Sequence, residues 1–143
     1  MKLNNKIALV TGVGPGLGQG IAVALARAGA DLVICDINPA SLAAAREAVL
    51  AEGRRCLSVA CDVSSSQQVA DMFAQARETF GTVHILVNNA ALTPNRPVDT
   101  ERRNQLYTYL QTPLPRASLG FTSEITDEEW LRYWGVNVHG TFY

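Results

Sequence analysis

The segment Thr11-Gly12-Val13-Gly14-Pro15-Gly16-Leu17-Gly18 follows directly on the apolar run Ile7 to Val10 and leads into an Ala-rich, helix-forming stretch. Glycines at such a junction let the backbone turn tightly and approach a pyrophosphate, whose charge is held by the free N–H groups and dipole of a helix amino terminus. No Gly-Lys-Ser/Thr closes the segment, which excludes a P-loop. Asp36 ends the next apolar run, eighteen residues after Gly18. A carboxylate there accepts two hydrogen bonds from an adenosine ribose diol and repels a 2′-phosphate. No Arg or Lys follows between Ile37 and Leu42, and Pro15 stands where a base would meet that phosphate. The expected cofactor is therefore NAD rather than NADP, with Gly12, Gly14, Pro15, Gly16, Leu17, Gly18, Asp36 and Ile37 as its binding residues.

The elements that must position these residues are legible as short apolar runs alternating with helical patterns, the signature of βα units around a parallel sheet. The runs are Ile7 to Val10, Leu32 to Cys35, Leu57 to Ala60 and Val83 to Val87. Leu17 to Ala28 reads as a helix ended by Gly29. Asn38 caps a second helix with Pro39 in its first position, the stripe Leu42, Ala45 and Val49, and Gly53 as its stop. The stripe Val69, Phe73, Ala76 and Phe80 marks a third helix, capped by the serines at 64 to 66 and ended by Gly81. Thr126 and Glu129 form a capping box for a fourth, helical in pattern through Tyr143. Residues 92–124 hold four of the six prolines and show no sustained period, so they read as a long loop insertion with a short helix at Leu106 to Leu110. The helix without a stop signal and an apolar fourth strand without a further neighbour suggest that residues 1–143 are the first part of a longer domain.

Composition narrows the function class. The 143 residues carry 12 basic and 13 acidic side chains, a net charge of -1, and no basic run longer than two, which excludes the electrostatic footprint of a nucleic-acid or membrane-surface binder. The longest strictly apolar run, Ile21 to Ala26, is too short for a membrane span or a signal-peptide core, so a cytoplasmic protein is expected. Cys35, Cys56 and Cys61 contain no Cys-x-x-Cys pair and read as small buried thiols, with neither disulfide framework nor metal site. Gly14 to Gly18 is also similar to the cofactor turn of adenosylmethionine-dependent methyltransferases. The acidic residue those enzymes carry two positions before the first glycine is here Gly12.

Taken together, the ordered segments resemble the amino-terminal half of the short-chain dehydrogenase/reductase family, of the kind that includes 3-oxoacyl reductases. The family's Thr-Gly-x-x-x-Gly-x-Gly corresponds to Thr11, Gly12, Gly16 and Gly18, its Asp-Val to Asp62-Val63, and its Asn-Asn-Ala-Gly to Asn88-Asn89-Ala90-Ala91. Asp127 to Trp130 and Val136-Asn137-Val138 are similar as well. The resemblance implies a Rossmann-type doubly wound α/β sheet, four strands here in the order 3-2-1-4. It implies an oxidoreductase moving hydride between nicotinamide and a small alcohol or carbonyl substrate, a homo-oligomer when complete. It further implies that Asp62 and Val63 meet the adenine, that Asn89 and Ala90 touch the cofactor, that Asn88 and Thr11 tie strands, and that Asn137 holds a water of the proton relay. The family's Tyr-x-x-x-Lys acid/base is missing: Tyr107, Tyr109 and Tyr133 are followed four places on by Gln111, Pro113 and Asn137, and no lysine follows Lys6. The chain alone is thus expected to be inactive, a fragment or a non-catalytic nucleotide-binding truncation. The insertion is expected to act as a substrate-side lid through Arg96, Arg102, Arg103 and Arg116.

Overall fold

The computed structural model describes residues 2–93, 97–113, 119 and 125–143. Four parallel strands, β1 (Ile7–Thr11), β2 (Asp31–Asp36), β3 (Cys56–Ala60) and β4 (Ile85–Val87), form one sheet in the order β3-β2-β1-β4. This is a Rossmann-type α/β arrangement, and the strand order reverses between β1 and β4. Three helices cross between the strands: α1 (Leu17–Arg27), α2 (Pro39–Ala51) and α3 (Ser66–Phe80). Every β1 residue is buried, as a central strand covered on both faces requires.

Successive strand side chains alternate between two core layers. Ala8, Val10, Leu32 and Ile34 pack with Ala22 and Ala26 of α1 and with Leu42, Ala45 and Val49 of α2. Ile7, Leu9, Val33, Cys35 and Val59 face Val69, Met72 and Ala76 of α3. The stripe expected on α3 is therefore rotated: Met72 takes the fully buried place, while Phe73 and Phe80 are half-buried flanks. Phe80 is covered by the Arg55 guanidinium 4.8 Å above its ring. The caps follow the expected chemistry. Asn38 Oδ1 accepts from the Ala40 N–H, Ser65 caps α3, and Gly29, Gly53 and Gly81 adopt the positive φ that ends a helix.

Asp31, at the entrance to β2, is the buried charge of this region, its carboxylate 2.7 Å from both Arg54 and Arg55. Burial pushes its pKa up, but the side-chain and backbone hydrogen bonds from Arg55 and the two guanidinium charges outweigh that and hold it below the usual carboxylate value.

β4 is shorter than the run Val83 to Val87. His84 precedes it, and its Nδ1 accepts the Ile7 N–H at 3.0 Å while its own N–H donates to the Ile7 carbonyl at 2.9 Å. A side chain thus replaces a backbone acceptor at the start of the ladder. Among the described residues β4 has β1 as its one strand neighbour, and Leu86 is exposed.

Residues 97–111, expected as loop apart from Leu106 to Leu110, form a fifteen-residue helix, α4 (Pro97–Gln111). Pro97 suits a first helical position, and no proline or glycine interrupts the run to Gln111. Its apolar residues show no sustained period because Leu106, Tyr107 and Leu110 are exposed and face no core. Arg96 and Arg116 of the expected lid lie outside the described residues.

The last segment is helical throughout, as its pattern predicts: α5 (Asp127–Trp134), a π-helical stretch Gly135–His139, and α6 (Gly140–Phe142). Thr126 and Glu129 make both halves of the capping box. No helix among the described residues is long and apolar enough to cross a membrane.

Candidate functional site

A groove of about 350 Å³ lies outside the carboxyl ends of the strands. Gly12 (after β1), Asp36 and Ile37 (β2), Cys61 to Ser64 (β3), and Ala90 to Leu92 (β4) form its floor and one side. Leu131, Arg132, Gly135 and Val136 form the opposite wall. A crevice at the point where strand order reverses is where ligands bind in open α/β sheets.

The four glycines of the first turn are needed for different reasons. A Cβ on Gly12 would lie 2.6 Å from Ala90 Cα, and Gly12 also has φ +68. A Cβ on Gly18 would lie 2.0 Å from the Gly12 carbonyl oxygen, so this glycine lets α1 sit against the turn. Gly16, the residue before α1, has φ +115 and nothing within 4 Å of its Cβ position. It leaves the start of α1 without a side-chain cap, with N–H groups and dipole free for an anion. Gly14 has neither constraint, and its open side faces Asp36. Pro15, Leu17 and Ile37 are exposed, and of the three only Ile37 lines the groove.

Thr11 and Asn89 tie the turn to β4. Thr11 Oγ1 accepts the N–H of Asn89 at 3.1 Å and of Ala90 at 3.0 Å, and Asn89 Nδ2 donates to the Thr11 and Gly12 carbonyls at 3.0 and 2.7 Å. The strand-tying expected of Thr11 and Asn88 thus belongs to Thr11 and Asn89. Asn88 instead lines a second cavity of about 130 Å³ beside Gly140 to Tyr143.

Asp62 Oδ1 accepts from the Ser64 N–H and hydroxyl at 2.9 and 2.7 Å, and the Asp62 N–H donates to Gln68 Oε1 at 2.9 Å. These bonds hold the β3–α3 turn and leave the second carboxylate oxygen to the groove. Val63 is buried beneath the far wall: a Cβ on Gly140 would lie 2.8 Å from Val63 Cγ2, and one on Gly135 3.4 Å from Ser64 Cβ. Residues five apart stand about 140° apart on an α-helix, so the i→i+5 π turn between these two glycines brings both onto the β3–α3 turn.

Asn137 lies within that π turn and is exposed. Its Oδ1 accepts the Leu92 N–H at 2.8 Å and its Nδ2 donates to the Leu92 carbonyl at 3.1 Å, a two-way clamp fastening the wall to the segment after β4. One amide hydrogen and one lone pair remain.

The cysteines offer no nucleophile. Burial pushes Cys35 up to about 12, with Cys61 and Asp36 adding to the effect, and pushes Cys56 up to about 11. Burial raises Cys61 too, although it forms part of the groove floor. Cys61, Ser64, Leu131, Arg132, Gly135 and Val136 were not expected at the site. Cys61 and Ser64 come with the Asp62 turn, and no local spacing marks the other four, because only the crossover after β4 carries the helical wall across the strand ends.

The arrangement suits a dinucleotide. Gly16 leaves space where a Cβ would stand at an uncapped helix start, and a carboxylate stands at the end of the adjacent strand. Comparison with known proteins agrees. The short chain dehydrogenase family model matches residues 6–143. An uncharacterized oxidoreductase of Mycobacterium tuberculosis is 39% identical over 104 residues, covering 72% of this chain and 40% of its own length. A crystal structure of NAD+-bound xylitol dehydrogenase superposes with a TM-score of 0.77 at 26% identity, over 99% of this chain and 46% of that one. A metagenomic short-chain oxidoreductase in complex with NADP superposes with a TM-score of 0.76 at 25% identity, over 99% and 54%. The chain spans less than half the length of the curated relatives it matches. The match over nearly the whole chain removes the methyltransferase alternative, and this chain belongs to the short-chain dehydrogenase/reductase family.

Proposed function

We propose that this chain is the NAD-binding, amino-terminal part of an oxidoreductase that moves hydride between the nicotinamide and the carbinol or carbonyl carbon of a small-molecule substrate. The observation that carries this reading is that Gly12 of the glycine turn, the Asp36 carboxylate and the Asp62 turn line one groove, with the uncapped start of α1 at Gly16, four residues beyond Gly12. In this reading the α1 amino terminus beyond Gly16 binds the pyrophosphate. Asp36 accepts from the ribose diol. Ile37 and Val63 flank the adenine, whose amino group donates to the free Asp62 oxygen. Ala90 and Asn89 border the path toward the nicotinamide, and Asn137, with its remaining hydrogen and lone pair, holds a water. The bound nicotinamide supplies or accepts the hydride.

The same proposal includes a cytoplasmic homo-oligomer in the complete form. With no lysine after Lys6, the 143-residue chain binds nucleotide without turning substrate over. Titration with NADH and NADPH, followed by cofactor fluorescence, tests the reading: NADH binds more tightly, and Asp36→Ala narrows the difference by ~1–3 kcal/mol, the scale of a hydrogen bond to a charged group. Equal affinity of the unmodified protein for both cofactors would sink the NAD assignment.

A further inference from the structure

We infer that Ser41 is a second ribose-reading residue beside Asp36, and that position 14 is glycine to keep their common space open. This rests on the nicotinamide-nucleotide reading above and sharpens it. Gly14 is outside the left-handed region, unlike Gly12 and Gly16, so its backbone does not require a glycine. Packing does not require one either: a Cβ there would find as its nearest neighbours Asp36 Oδ2 at 3.8 Å and Ser41 Oγ at 4.0 Å, ordinary contact distances. Both neighbours are side-chain oxygens, reaching one point from different elements.

The local geometry keeps them there. Asp36 Oδ1 accepts the Asn38 N–H at 2.8 Å, which leaves Oδ2 for the space above Gly14. Asn38 also caps α2 through Ala40, which sets the helix's first turn and so places Ser41, its third residue. The two groups are chemically complementary. An ionised carboxylate only accepts hydrogen bonds, whereas a serine hydroxyl also donates one. A vicinal diol offers two hydroxyls that each donate and accept, so one partner of each kind satisfies it. A 2′-phosphate meets the Asp36 charge but can accept from Ser41. Asp36 therefore sets the preference between cofactors, and Ser41 adds affinity for the sugar.

The test is calorimetric titration of the protein with ADP-ribose and its 2′-deoxy and 3′-deoxy forms, beside NADH. The unmodified protein should bind ADP-ribose saturably and each deoxy form more weakly. Ser41→Ala should weaken ADP-ribose roughly three- to tenfold and abolish discrimination against one of the two deoxy forms, while Ser41→Thr, which keeps the hydroxyl, restores both. Gly14→Ala should keep the unmodified melting temperature and lose affinity, whereas Gly18→Ala should melt early. Should Ser41→Ala melt early, Ser41→Cys, which keeps the size and loses the strong donor, carries the same comparison. Ser41→Ala or Ser41→Cys binding ADP-ribose as tightly as the unmodified protein, with discrimination against both deoxy forms intact, would overturn the inference and leave the NAD reading standing. An unmodified protein that binds neither NADH nor ADP-ribose would overturn both.

Discussion

The two walls of the groove are built on different physical terms. Among the described residues every buried apolar side chain lies between Ile7 and Ala76, in the layers that sandwich the sheet. From α5 through α6 no residue is buried, and Trp130, Trp134, Val138 and Phe142 stand exposed at a spacing of four, the two tryptophans stacked 5.2 Å apart. The strand side is held by burial. The helical wall is held by the Asn137 clamp on Leu92, by half-buried Val136 packed against the layer of Cys61 and Val63, and by two glycines that allow close approach to Val63 and Ser64. One region therefore sets whether the chain folds, and the other sets whether the groove has two sides.

Substitutions can separate these roles. The largest effect belongs to Gly18→Ala on the strand side, because the added methyl has no room against the Gly12 carbonyl and Asn89 Nδ2. It should lower stability by about 3 kcal/mol or more in urea unfolding. Unfolding at the unmodified urea concentration would mean that the turn yields and that the contrast between the walls is overstated.

Asp31→Asn comes next, at ~2 kcal/mol near neutral pH, since the new side chain keeps the shape but removes the partner charge of Arg54 and Arg55. The folded-state pKa of Asp31 lies below its unfolded value. Its stabilisation is therefore fully present above the ordinary carboxylate range and is lost as pH falls through the lowered folded value. Stability measured from pH 7 down into the acid range should fall with pH in the unmodified protein and change less in Asp31→Asn. Parallel curves for the two proteins would exclude Asp31 as the source.

Asn137→Ala should have the smallest effect on global stability, about 1 kcal/mol or less, because both of its hydrogen bonds are at an exposed site. Its effect on the groove should be larger in proportion. The Leu92 amide should exchange with solvent faster and NADH should bind more weakly, with the melting curve nearly unchanged. A large drop in melting temperature would show that the helical wall belongs to the folding unit after all.

The helices that face a core were legible because their burial imposes a period. Leu42, Ala45 and Val49 mark α2, and Asn38 and Gly53 mark its ends. α4 was missed over most of its length because an exposed helix needs no such period. On α3 the stripe pointed to the correct face but chose Phe73 over Met72, since both lie near the same side and only packing against Leu9 and Val33 selects between them. Asn89 illustrates the same limit at the site. Its type and place after β4 were legible, but its bonds to residues more than seventy positions earlier were not.

By itself, the sequence determined the βα alternation, the glycine turn at a helix start and the carboxylate at the end of the second strand, because each is written within a few neighbouring residues. Tertiary structure alone decided that Gly12 and Gly18 serve packing while Gly16 and Gly14 serve open space, that Asn137 clamps Leu92, and that Ser41 shares the space above Gly14 with Asp36. Those facts depend on distances between elements brought together by the crossovers, and local periodicity reports which face of an element is buried but not which atom meets it there.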